Sequence, residues 1–202
     1  MTSLMNTSIG PDSNPFSVFD SWMTEMKNTP GIKEPSAMSL ATTDGKELHS
    51  RIVLCRGWGK EGFTFYTNYL SRKGLDIAEK AEASAVFYWD PVFRQVNITG
   101  SVTKTSRADS EKYWNARARD SQISQYVSHQ SQEVKSREDL ESNWTKAEHD
   151  FAGKTIPCPP HWGGYVLVPR KIEFWIGRTG RLHDRYEFQQ QNGSWKFRRL
   201  YP

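Results

Sequence analysis

The stretch Ala83-Ser84-Ala85-Val86-Phe87-Tyr88-Trp89, followed by Asp90-Pro91 and then by Gln95-Val96-Asn97-Ile98-Thr99-Gly100-Ser101-Val102-Thr103, decides the fold. Two short strand-like segments flank a turn signal, and the pattern repeats on both sides. Upstream lie Ala37 to Thr42, Leu48 to Cys55 and Phe63 to Thr67, separated by Asp44-Gly45 and by Gly57 to Gly62. Downstream, after Pro157-Cys158-Pro159-Pro160, come Gly164 to Val168, Lys171 to Ile176, Arg181 to Phe188 and Trp195 to Leu200. So many short strands predict a closed or nearly closed antiparallel sheet. Helices are expected at Ser71 to Ala81, Arg107 to Arg117, Ser121 to Val127 and Ser136 to Phe151, the last opened by the capping box Ser136-Arg137-Glu138-Asp139. A further helix starts at Asn14-Pro15, where Phe16, Phe19, Trp22, Met23 and Met26 recur at helical spacing. The fold class is mainly β with peripheral helices (α+β). A flexible arm is expected over residues 1–13, and a single domain over 14–202.

At 202 residues the chain has room for one sizeable core. Aromatic residues make up 13%, which argues against a disordered chain because each ring can bury a large area. No apolar run reaches membrane-spanning length, and the opening residues lack a secretory pattern, so a cytoplasmic protein without a membrane partner is expected. Lys and Arg number 27 against 23 Asp and Glu, scattered among one another, a distribution that speaks against a nucleic-acid partner. Cys55 and Cys158 are expected to be reduced, and neither they nor the five histidines form a metal-binding pattern.

Three places suit anionic chemistry. In a strand, Arg181, His183 and Arg185 would project from one face, an arrangement tolerated either in solvent or against an electron-rich ligand. Arg72 and Lys73 stand at an expected helix start, where backbone N–H groups favour phosphate. Tyr113, Arg117 and Ser121 are spaced four apart and, if one continuous helix carried them, would stack along a single face to offer a guanidinium and two hydroxyls; otherwise Tyr113 packs, Arg117 is solvated and Ser121 caps the next helix. Arg51 and Arg56 also belong to one strand, but their odd separation places them on opposite faces unless a bulge intervenes. Walker, dinucleotide and nucleophile-elbow motifs are absent from the sequence.

Several stretches, in order, resemble the pyridoxamine 5′-phosphate oxidase family: Arg51-Ile52-Val53-Leu54, Phe65-Tyr66-Thr67-Asn68 with Ser71-Arg72-Lys73, Arg94-Gln95-Val96, Arg117-Ala118-Arg119-Asp120-Ser121-Gln122, Gln130-Ser131, Phe174-Trp175, Arg181-Leu182-His183-Asp184-Arg185 and Arg199-Leu200-Tyr201-Pro202. The resemblance implies an FMN-binding split β-barrel, a homodimer with FMN at the interface, and oxidation of pyridoxamine or pyridoxine 5′-phosphate to pyridoxal 5′-phosphate. Hydride would pass from C4′ to flavin N5, with O2 reduced to H2O2.

Carried over position by position, FMN would contact Arg51, Ile52, Val53, Leu54, Cys55, Arg56, Tyr66, Thr67, Arg72, Lys73, Gln95, Gln130, Ser131, Trp175 and Arg185. The substrate would meet Arg56, Tyr113, Arg117, Ser121, Arg181, Leu182 and His183, with Arg181 and His183 in the catalytic roles. Arg56 stands where the family commonly has Lys, and Ala118 where it often has Pro. Two other readings stay open: a related split-barrel flavoprotein acting on another substrate, and a non-catalytic binding protein for FMN or pyridoxal phosphate.

Overall fold

A computed structural model describes residues 9–202; the segment before Ile9, the larger part of the expected arm, lies outside the described residues. The rest of that arm departs from expectation. Ile9 is buried in the main core, and a turn closes from Ser13 N–H to the Gly10 carbonyl at 3.1 Å. Apolar contact fixes this short piece although its composition carries no periodicity.

Helix α1 (Pro15–Lys27) begins as its sequence requires. Asn14 Oδ1 accepts from Phe16 N–H at 2.9 Å and Ser17 N–H at 3.3 Å, while Pro15 occupies the first turn, where no donor is needed. Its apolar stripe of Phe19, Trp22, Met23 and Met26 is fully buried. Phe19 meets Phe63 and Phe87 edge-on with ring centroids at 4.9 and 5.0 Å, so the helix closes one side of the sheet.

The strands are β1 (Ala37–Thr43), β2 (Leu48–Leu54), β3 (Gly57–Gly59), β4 (Gly62–Asn68), β5 (Glu82–Trp89), β6 (Arg94–Lys104), β7 (Trp162–Ile176), β8 (Asp184–Gln191) and β9 (Ser194–Leu200). All pairings are antiparallel, in the order β2-β1-β5-β6-β7-β4-β3, with β8 added to β7 and β9 to β8. Strand β7 carries this curled sheet. Its first half pairs with β4, its second half with β8, and β6 runs beside both. The sequence suggests two segments here, broken near Pro169. One strand forms instead, because a bulge opposite Gly100 absorbs the irregularity at Pro169 and Arg170. The expected Gly57 to Gly62 turn also contains the short strand β3.

The remaining helices are α2 (Arg72–Glu79), α3 (Arg107–Asn115), α4 (Arg119–Val127) and α5 (Arg137–Asp150). Ser136 caps α5, its hydroxyl accepting from Asp139 N–H at 3.2 Å. Trp114, Ile123, Ala147, Ile156 and Trp162 form a second, smaller core beneath α3, α4 and α5. Among the described residues no helix is long and apolar enough to cross a membrane.

Candidate active site

Strand β2, the end of β4, the start of α2 and the break between α3 and α4 converge on a cavity of about 300 Å3. Its wall holds Arg51, Ile52, Val53, Leu54 and Arg56, then Tyr66 and Thr67, Lys73, Tyr113, Arg117 and Gln130. These come from four of the stretches singled out by sequence. Arg51 and Arg56 line the same cavity, contrary to the alternation argument, because β2 ends at Leu54 and Arg56 lies beyond the pleat. Arg51 Nη1 is fixed by Thr42 Oγ1 at 2.7 Å and the Leu40 carbonyl at 3.1 Å.

Lys73 is buried among neutral oxygens. Its Nζ donates to Thr67 Oγ1 and Ser71 Oγ, each at 3.1 Å, and to Gln130 Oε1 at 3.2 Å. Burial, with Arg51 nearby, pushes its pKa down to about 8 against a weaker opposing pull from Asp76. None of its hydrogen-bond acceptors among the described residues is a carboxylate, so a bound anion would be its first direct counter-charge.

Arg117 is half-buried above the Trp162 ring, 5.2 Å from the centroid, with Nη2 donating to the Ser121 carbonyl at 3.4 Å. Its Nε is buried without a hydrogen-bond partner among the described residues. Burial lowers its pKa from the ordinary arginine value, while Tyr113 works in the opposite direction. Tyr113 stacks on Tyr66 at 3.9 Å between centroids, and both lie nearly parallel to Trp162. This stack gives the cavity a rigid aromatic wall.

Tyr113, Arg117 and Ser121 do not share one continuous helix face: two helices form, as the expected division near Arg117 and Ser121 has it, with bounds shifted by two residues. Asn115 ends α3, and Ala118 caps α4 in an extended conformation. Gln122 Nε2 donates to the Trp114 carbonyl at 2.7 Å across the break, and Trp114 and Ile123 are both buried. Packing of both helices on the small core holds the break in place. Arg117 consequently lies in the connection between the helices.

Arg72 does not line the cavity. Its side chain lies among carboxylates, and its backbone N–H donates to Ser131 Oγ at 3.2 Å. Cys55 faces the core, with its thiol toward the Gly57 carbonyl and its pKa pushed up to about 12 by burial. Ser121 meets Arg117 through its backbone carbonyl.

The other expected residues lie at a second place, on β6, β7, β8 and the turn before β8. Register sets Gln95 opposite Trp175 and Trp175 opposite Arg185, one row across three strands. The projected strand face of Arg181, His183 and Arg185 does not form, because β8 begins only at Asp184. Arg181 ends a short turn with φ 61°, a left-handed conformation uncommon for a residue with a Cβ. Leu182 and His183 line a separate cavity with Arg199, Leu200, Tyr201 and Pro202. His183 Nδ1 accepts from Arg178 N–H at 3.1 Å, and its ring lies 4.8 Å from that of Trp175. Arg185 is gripped by Glu173 through two bonds of 2.9 Å.

Sequence reading missed Gln125 and Trp162 in the first cavity and the buried acids Asp76, Glu173 and Asp184 that hold the arginines. Gln125 could have been found one helical turn beyond Ser121. Asp76 stands one helical turn beyond Arg72 and could have been found the same way, whereas Glu173 and Asp184 pair with residues of another strand or a turn and carry no such signal.

Residues 25–149 match the family model described as pyridoxamine 5′-phosphate oxidase, and residues 162–202 match that of the pyridoxine 5′-phosphate oxidase C-terminal dimerisation region. The chain is 46% identical to the pyridoxine/pyridoxamine 5′-phosphate oxidase of Leptospira biflexa, over 94% of this chain and 89% of that protein. It is 45% identical to the protein of the same name from Cupriavidus necator, over 99% and 93%. Among solved structures, PhzG from Burkholderia lata in complex with tetrahydrophenazine-1-carboxylic acid superposes with a TM-score of 0.89 at 30% identity, covering 95% of this chain and 94% of that one. A pyridoxamine 5′-phosphate oxidase-related, FMN-binding protein from Nostoc punctiforme gives 0.74 at 14% identity, over 96% and 100%, a likeness of fold.

Proposed function

This chain belongs to the pyridoxine/pyridoxamine 5′-phosphate oxidase family, a family of FMN-dependent oxidoreductases with the split-barrel fold, and we propose that it oxidises pyridoxamine and pyridoxine 5′-phosphate to pyridoxal 5′-phosphate. One observation carries the reading: Lys73 and Arg117, two buried or half-buried cations without carboxylate hydrogen bonds, face one cavity. Two phosphate esters suit that arrangement, and a substrate lacking phosphate leaves the free Nε of Arg117 unexplained.

Lys73, with Thr67 and Gln130 beside it, would hold the flavin phosphate, and the edge of β2 from Arg51 to Leu54 would border the ring. Arg117, Tyr113 and Arg56 would hold the substrate phosphate, so binding energy far from the reacting carbon fixes its position. FMN, when bound, would supply the two-electron oxidation at C4′, with O2 as final acceptor giving H2O2.

Within one chain, Gln95, Trp175, Arg181, His183 and Arg185 do not line the first cavity. A homodimer in which a second copy brings this group against that cavity completes the site, with FMN between the copies. His183 would then present Nε2–H to the substrate, since its Nδ1 already accepts a backbone proton.

The test is peroxide production by the flavin-loaded protein with pyridoxamine 5′-phosphate and with unphosphorylated pyridoxamine. Turnover of the ester, with kcat/KM lower by about 100-fold or more for the free amine, is expected from the loss of charge-assisted bonds to phosphate. Equal kcat/KM for the two compounds, or a protein that takes up no FMN, would reject the proposal.

A further inference from the structure

Arg72 stands beside Lys73 at the start of α2, yet its guanidinium is already engaged. Nη2 lies 3.1 Å from Asp44 Oδ2 and 3.3 Å from Glu47 Oε2, and Nε lies 3.2 Å from Asp76 Oδ1. Nε also approaches His49 Nδ1 at 3.5 Å. Asp76 is buried and belongs to the same helix, but Asp44 and Glu47 belong to the turn joining β1 to β2.

That turn is built to present its acids. Asp44 Oδ1 accepts from Lys46 N–H and Glu47 N–H, both at 2.9 Å, which leaves Oδ2 for Arg72. The same two backbone bonds are the largest reason that Asp44 has a lowered pKa, with Arg72 adding to it. Arg72 is the more exposed of the two neighbouring cations, Glu47 is exposed and Asp44 half-buried at the surface, so the contacts with the hairpin can open without disturbing the core.

We propose that Asp44 and Glu47 set the affinity for FMN by holding Arg72 away from the flavin phosphate. The proposal rests on the reading of the Lys73 cavity as the phosphate end of the FMN site. To reach an anion beside Lys73, the guanidinium must leave both hairpin carboxylates, and that loss is subtracted from binding. The two residues thereby tune cofactor retention without touching the flavin.

The full-length chain, stripped of flavin and titrated with FMN by fluorescence quenching, tests this. Asp44→Asn keeps the Oδ1 acceptor of the turn and Glu47→Gln keeps its length, so the double variant preserves the hairpin. Its Kd for FMN is expected to fall by about threefold to tenfold, the scale of two ion pairs at the surface. In an Arg72→Gln background the same pair of substitutions should leave Kd unchanged, and riboflavin, which lacks the phosphate, should bind all variants alike. An equal gain in both backgrounds would show simple charge repulsion and overturn the proposal, as would no gain at all. Failure of the unsubstituted chain to take up FMN would bring down the functional reading with it.

Discussion

Lys73 joins sequence, burial and pH dependence in one side chain. Its neighbours Thr67, Ser71 and Gln130 solvate it with oxygens but do not neutralise it, so its pKa sits near 8 instead of the ordinary 10.5. A lysine whose folded value is depressed weakens the flavin-free protein at low pH. That protein should gain stability as pH rises from about 8 to 10.5, where the unfolded chain binds the extra proton. FMN binding should show the opposite trend. Above about 8 the free site must take up a proton to pair with phosphate, so affinity should decline, and Lys73→Met should flatten that decline while raising Kd about 10- to 100-fold. Flavin titrations at several pH values measure both effects; an unchanged pH profile in the variant would assign the titration to another group. The stretch Ser71-Arg72-Lys73 suggests two phosphate cations from sequence alone. Only Lys73 faces the cavity, because the acids that draw Arg72 aside lie on a turn 25 or more residues away.

Among the elements, β7 shows where pattern reading succeeds and where it stops. Its two halves are legible as strands, and the sheet class follows from them. Their fusion is not legible, since Pro169 reads as a break until the bulge opposite Gly100 is seen. A Cβ at Gly100 would lie 1.9 Å from the Val168 carbonyl oxygen, closer than atoms can approach. Gly100→Ala should therefore cost about 1–3 kcal/mol through forced movement of the strand, measured by urea unfolding. A variant as stable as the parent would mean that the bulge yields freely. Helix α1 is the converse case, because Asn14-Pro15 and the aromatic spacing contain its cap, start and buried face. The α3–α4 break lies between these extremes. The division into two helices is legible, but its place is shifted by two residues, because Trp114 and Ile123 are both buried in the small core and nothing from Ala116 to Ala118 marks the break.

For the whole molecule, the two halves of the expected site occupy different places on one chain. Arg117 belongs to the first cavity and His183 to the second. If a second copy joins them, variants defective in opposite halves should rescue each other. Arg117→Met and His183→Ala, each nearly inactive, should recover about a quarter of normal activity when refolded together, since half of random dimers are mixed and each contains one intact site. Activity of the mixture no higher than the mean of the two separate variants would exclude a shared site. Residue order made most of this site recognisable through resemblance. The gap between its halves was not, because strand alternation was extended across Arg181 and His183, which precede β8.

The division of the interior into a large core and a small one has its own consequence. Arg51 and Lys73 are rooted in the sheet and α2, whereas Tyr113 and Arg117 are carried by the helical layer around Trp114 and Trp162. On the proposed assignment of the cavity, substitutions in that layer would reshape what the enzyme accepts while the pigment stays in place. A lineage built on this plan would then explore new substrates without first surrendering its colour.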